Sequence, residues 1–191
     1  MDPVPAIVRF TKGITMRLQT AAKAALLMAV LSVNVIANDE WTEVKRPELG
    51  FVTMFPQAPK VSEQTMKEGS GAYTQHMFSL DQGGRGYLIA VFEYQPGVVP
   101  SKPDDAYFSK LLNAYLDGSH SRLREKHPKT IAGHLGVEAI ADDVQETASH
   151  LLDLIAVGDR LYLIVSIGPK GHETDTDALR FRDAFRLLGA K

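Results

Sequence analysis

The stretch that most limits what this chain can fold into runs from Glu146 to Ile167, ETASHLLDLIAVGDRLYLIVSI. Two runs of Leu, Ile, Val and Tyr are joined through Gly158-Asp159, a pair suited to the tight turn of a β-hairpin. With that pair at the turn, Val157 faces Arg160. Strand side chains alternate, so Leu152, Leu154 and Ala156 share one face with Leu161, Leu163, Val165 and Ile167. Leu151, Asp153, Ile155 and Val157 share the other with Arg160, Tyr162, Ile164 and Ser166. The first face is almost wholly apolar, and the second is apolar at its middle. Such a hairpin needs cover on both sides, which points to the centre of a layered domain.

The first 37 residues read differently. Arg17 and Lys23 precede the apolar run AALLMAVLSVNVIA, which ends at Val35-Ile36-Ala37. This is the pattern of a cleavable secretory signal, too short and too weakly apolar to remain as a transmembrane segment. Met16 stands immediately before Arg17, and a start there gives a compact signal over residues 16–37. The expected division is therefore residues 1–37 as N-terminal extension and signal peptide, and residues 38–191 as a single domain. Those 154 residues suffice for one sizeable core. They carry 17 Lys and Arg against 22 Asp and Glu, a net charge of −5, which argues against general nucleic-acid binding. The chain has no cysteine, so thiol catalysis, sulfur-ligated zinc and iron–sulfur chemistry are excluded. The expected location is periplasmic or secreted.

The rest of the chain supplies cover for the hairpin. Short strands are expected on either side of the Pro47–Gly50 turn, and Lys60–Gly71 reads as an exposed approach to the sheet. Stronger strands follow at about Ala72–Leu80 and Gly86–Tyr94, joined by a glycine-containing turn. Phe108, Leu111, Leu112 and Tyr115 recur at helical spacing and predict a helix near Asp104–Asp117, opened by Ser101 or Pro103 and stopped by Gly118. Ile131–Ala141 reads as a turn feeding a strand. A last helix is expected over Asp175–Leu188, with Thr174 and Asp177 as a capping box and Ala178, Phe181, Phe185 and Leu188 as its buried stripe.

Chemistry is sparse. The six histidines form no familiar metal motif, no cofactor is implied, and His134 with Asp142-Asp143 would make a site only if the intervening strand doubled back. Neither GSGAY nor QGGRG has the lysine and helix of a phosphate loop. Ser119-His120-Ser121 is adjacent in sequence, which is no substitute for a folded triad. Asp153 stands out because it interrupts LLDLIAV in a central strand, and a buried carboxylate needs a partner. The register places it opposite Ile164, with Tyr162 and Ser166 diagonal to it. Asp153 and Tyr162 are therefore the candidate lining of a ligand cleft, although a structural hydrogen bond is the stronger reading. His150 falls on the opposite face from Asp153. The basic stretch from His120 to Lys129 supplies Arg122, Arg124, Lys126 and Lys129 as candidate partner-binding residues, against a plainer reading as a solvated turn or helix end.

These features together resemble the PsbP-like superfamily and small exported bacterial domains of unknown function within it. The resemblance rests on Trp41, GFVTMFPQAP at Gly50–Pro59, GYLIAVFEY at Gly86–Tyr94, GDRLYLIVSIGP at Gly158–Pro169 and RFRDAFRLL at Arg180–Leu188. It implies an α+β fold, a three-layer α/β/α sandwich around a mainly antiparallel sheet. Members include accessory proteins of photosynthetic complexes and a binder of the Ran GTPase, so the resemblance implies docking rather than catalysis. The expected function is a noncatalytic periplasmic accessory or binding protein with an envelope protein or complex as its partner. A small-ligand carrier or enzyme using the cleft near Asp153 and Tyr162 is the alternative.

Overall fold

The computed structural model describes residues 41–68 and 71–189. The expected signal peptide and Met16 start lie outside them. Among the described residues no helix is long and apolar enough to cross a membrane.

The chain runs β1 (Thr42–Arg46), β2 (Phe51–Phe55), β3 (Lys60–Glu68), β4 (Gly71–Gln82), β5 (Arg85–Tyr94), α1 (Asp105–Ser119), β6 (Ser121–Ile131), β7 (His134–Asp143), β8 (Ala148–Val157) and β9 (Arg160–Pro169). A 3-10 turn at His172–Thr174, α2 (Thr176–Ala184) and β10 (Arg186–Leu187) complete it. Seven strands form an antiparallel sheet in the order β3-β4-β5-β9-β8-β7-β6. The β8–β9 hairpin has Val157 opposite Arg160 and Asp153 opposite Ile164, the register its sequence predicts.

Each face of the sheet carries its own core. On one, Leu152, Leu154, Leu161, Leu163 and Val165 pack with Phe108, Leu111, Leu112 and Tyr115 of α1. On the other, Ile155, Tyr162 and Ile164 meet Phe51 and Phe55 of β2, Phe181 of α2 and the following Phe185. Phe51 touches Phe78 edge-on at 5.4 Å and stacks on Phe185 at 5.7 Å. Full burial of each such ring contributes on the order of 2–3 kcal/mol. The second cover is thus mixed: β1, β2 and β10 form a separate three-stranded sheet beside α2.

Several local boundaries depart from the sequence reading. Asp104 caps α1, its carboxylate accepting from the Tyr107 backbone N–H at 2.8 Å, and the helix runs past Gly118 to His120 in the left-handed region. The last helix stops at Ala184, because Phe185 is extended (φ −66°, ψ 130°) and leads into β10 against Phe51 and Val52. Phe181 and Phe185 are both buried, but only the first reaches the core from a helix. The expected capping box does not form: Asp175 takes the N-cap position, and its carboxylate is engaged by Arg85 and His172 instead.

The two stretches read as exposed connections are the edges of the large sheet. Lys60–Glu68 is β3, and the basic stretch is β6. Their solvated side chains hide the alternation that marks a half-buried strand. In β6 the register shifts between Leu123 and Glu125, and Pro128 has no backbone N–H to offer a further strand. Charge, a bulge and a proline are the features that keep an exposed edge from pairing with other chains.

Candidate functional site

Asp153 is 1% exposed on β8, and its partner is Lys129, across β7 on the edge strand. The Lys129 ammonium donates to Asp153 Oδ2 at 2.6 Å and to Glu138 Oε2 at 3.2 Å. Arg182 of α2 donates to the same Glu138 oxygen at 2.9 Å. One residue singled out for a cleft and one singled out for docking are therefore each other's partners. Burial raises the Asp153 carboxyl to about 6, against the opposing charge of Lys129. Its Oδ1 is buried without a hydrogen-bond partner among the described residues.

Tyr162 shares that face but meets a different group. Its hydroxyl donates to the Leu49 carbonyl at 2.8 Å, and burial raises its pKa. It lines a cavity of about 250 Å³ with Gly50, His134, Val157, Arg160 and Leu187. Asp153 does not line this cavity, so the two candidate cleft residues occupy separate environments. His150 turns to the α1 side, where its Nδ1 lies 2.7 Å from the Tyr115 hydroxyl. Burial lowers its pKa to about 4, so the ring is neutral near pH 7. His134 and Asp142-Asp143 sit at opposite ends of β7 and do not converge.

The four basic residues of β6 separate in role. Arg124 donates to both Asp142 oxygens, at 2.9 and 3.1 Å, and to Glu173 beside α2. Lys126 reaches Ser109 at 2.7 Å and pairs with Asp105, tying the edge to α1. Lys129 is committed to Asp153 and Glu138. Arg122 alone of the four is exposed and has no side-chain hydrogen bond or ion pair to a described residue. Beside it Leu123 is 43% exposed, and Val144, joined to this end of β6 through its N–H to the His120 carbonyl, is 51% exposed.

One constellation escaped the sequence reading. Ser166 Oγ lies 2.6 Å from His172 Nε2, and His172 Nδ1 lies 3.1 Å from Asp175 Oδ2. Arg85 donates to the same Asp175 oxygen at 3.0 Å. The hydrogen bond from His172, followed by that from Arg85, lowers the Asp175 pKa. The order is that of a hydrolase triad, but Ser166 and His172 are each 1% exposed. Tyr87 packs edge-on to the imidazole at 6.4 Å, and a side chain at Gly168 would overlap the ring. The relay faces packed protein and fastens the 3-10 turn and the start of α2 to β9. The signal in the sequence was a polar trio just beyond the strongest strand, visible only once the chain turns back at Lys170-Gly171.

No family model matches the chain, and no curated protein matches it in sequence. Among solved structures it is similar to cyanobacterial PsbP from Synechocystis sp. PCC 6803, at 12% identity and a TM-score of 0.53. That match covers 85% of this chain and 99% of the other. An uncharacterized protein from Mycobacterium smegmatis matches at 11% identity and a TM-score of 0.32, over 55% of this chain and 54% of that one, too distant to bear on the fold. The near-complete coverage of cyanobacterial PsbP shows that this chain has a PsbP-like fold.

Proposed function

We propose that the protein is a noncatalytic accessory protein, exported to the periplasm through a signal cleaved after Ala37, which docks on an envelope protein with the outer edge of β6. The PsbP-like fold supports an accessory role. The observation that carries the docking surface is the contrast along β6: Arg124, Lys126 and Lys129 hold the domain together, while the Arg122 side chain has no partner among the described residues and is flanked by exposed Leu123 and Val144. A free guanidinium beside apolar area suits a partner surface bearing carboxylates around an apolar patch.

The test is co-sedimentation of the mature protein with envelope fractions from its own cells, at low and at high salt. Saturable, salt-weakened binding that Arg122→Glu abolishes supports the reading. Binding unaffected by that reversal contradicts it. The cavity beside Tyr162 favours a second reading, in which the domain also takes a small ligand.

A further inference from the structure

We propose that the cavity at the turn end of the β8–β9 hairpin binds a small carboxylate with an apolar body. Its volume, about 250 Å³, lies just below the usual range for drug-sized ligands and suits a smaller molecule. Arg160 enters it from the hairpin turn, already held in place. Its Nε donates to Glu93 Oε1 at 2.8 Å and its Nη2 to the Glu48 carbonyl at 2.8 Å. The guanidinium is also hydrogen-bonded to the Tyr162 side chain, and no carboxylate or carbonyl of a described residue accepts from Nη1. His134, half-buried in the lining, has no side-chain hydrogen bond or ion pair to a described residue. Arg160 and His134 thus line one small space, and Val157 and Leu187 supply an apolar wall.

Gly50 keeps the space open. Its φ of +73° favours glycine, and a Cβ there would lie 3.2 Å from Arg160 Nη1 and 3.1 Å from the Tyr162 oxygen. A carboxylate accepting from Nη1 and from His134 would make charge-assisted hydrogen bonds with a donor that needs no reordering. Because Glu93 offsets much of the Arg160 charge, selectivity comes from the direction of the guanidinium N–H groups that Glu93, Glu48 and Tyr162 leave unused, and the apolar wall sets the shape. The cavity lies at the opposite end of β7 from Arg122 and Val144, about 30 Å away at the rise of a β-strand. Failure of docking and failure of ligand binding are therefore separable.

The experiment is an NMR titration of the intact, isotope-labelled protein with benzoate, compared with benzamide of nearly the same shape and no charge. The expected result is a saturable shift of the Gly50, His134 and Val157 amides, with benzamide at least tenfold weaker. Val157→Phe, which fills the cavity, should abolish the shifts, and Arg160→Gln should bring benzoate down to the benzamide level. Should Arg160→Gln loosen the domain through Glu93, the comparison of the two probes on the unaltered protein still decides. Absence of saturation at millimolar benzoate, equal binding of benzamide, or shifts confined to residues away from the cavity would overturn the proposal.

Discussion

The Asp153 carboxylate and the Lys129 ammonium meet at 2.6 Å, joining the central strand β8 to the sheet edge β6 across the intervening β7. The carboxylate is buried and the ammonium is partly open, with side-chain exposures of 1% and 22%. The contact explains both an acid in the middle of an apolar strand and a lysine at the edge.

Removing Lys129 leaves that carboxylate without its nearest counter-charge. Lys129→Met is expected to lower stability by about 3–5 kcal/mol near pH 7, the usual result of breaking a buried pair from one side. The double variant Lys129→Met/Asp153→Leu should recover much of the loss. Urea unfolding of the three proteins measures the difference.

The same carboxyl predicts a pH dependence. Folded, it holds its proton up to about pH 6, whereas the unfolded group releases it near 4. The folded state therefore binds more protons within that window, and this group's contribution falls as pH rises through it. The change is on the order of 2–3 kcal/mol, and Asp153→Asn should remove it.

His150 acts in the opposite sense. Its folded pKa of about 4 lies below the unfolded value, so the stability it contributes is present above about pH 6.5 and lost as pH falls towards 4. The two groups oppose each other between pH 4 and 6, and wild-type stability alone conceals both. An NMR titration of the imidazole should show His150 neutral until about pH 4, while unfolding of Asp153→Asn across the same range should expose the acid-side loss.

Gly168→Ala places a methyl group in the His172 ring. The ring must move, disturbing its contacts with Ser166 and Asp175, at an expected cost of about 1–3 kcal/mol. Ser166→Ala removes one hydrogen bond without adding volume, and should cost about 1 kcal/mol. A smaller loss for Gly168→Ala than for Ser166→Ala in denaturant unfolding would contradict this packing account.

Along β6 the cations should separate by role. Arg124→Glu brings a third carboxylate against Asp142 and Glu173 and is expected to destabilise by about 1–3 kcal/mol. Arg122→Glu should stay within about 0.5 kcal/mol of wild type. Thermal unfolding distinguishes them, and identifies which charge reversal can be used to test docking without weakening the domain.

The sequence made the centre of the fold more legible than its edges or its site. Alternation over Leu151–Ile167 defined both faces and the register, because each substitution of one face for the other would have exposed an apolar row. β3 and β6 escaped because edge strands with polar side chains lack that contrast. The end of α2 was misread because Phe181 and Phe185 fit a helical spacing, while β2 draws the later residues into extended pairing. Asp153 was visible as an anomaly, but its partner lies 24 positions earlier and follows only from the β6–β7–β8 registers. Tyr162 was placed on the correct face, but the cavity beside it also needs Gly50 and Leu187, which the small sheet brings in. The Ser166–His172 contact required the turn after β9, where Gly168 lets the chain lie against the ring.

Docking through the open end of β6 is tested most directly by site-specific photocrosslinking in intact cells, with the photoreactive residue placed at Leu123 and, separately, at exposed Val61 on the opposite sheet edge. The account predicts one discrete adduct from position 123, none from position 61, and loss of the adduct when Arg122 is changed to Glu. Equal crosslinking from both edges, or an adduct at 123 that survives Arg122→Glu, would contradict it.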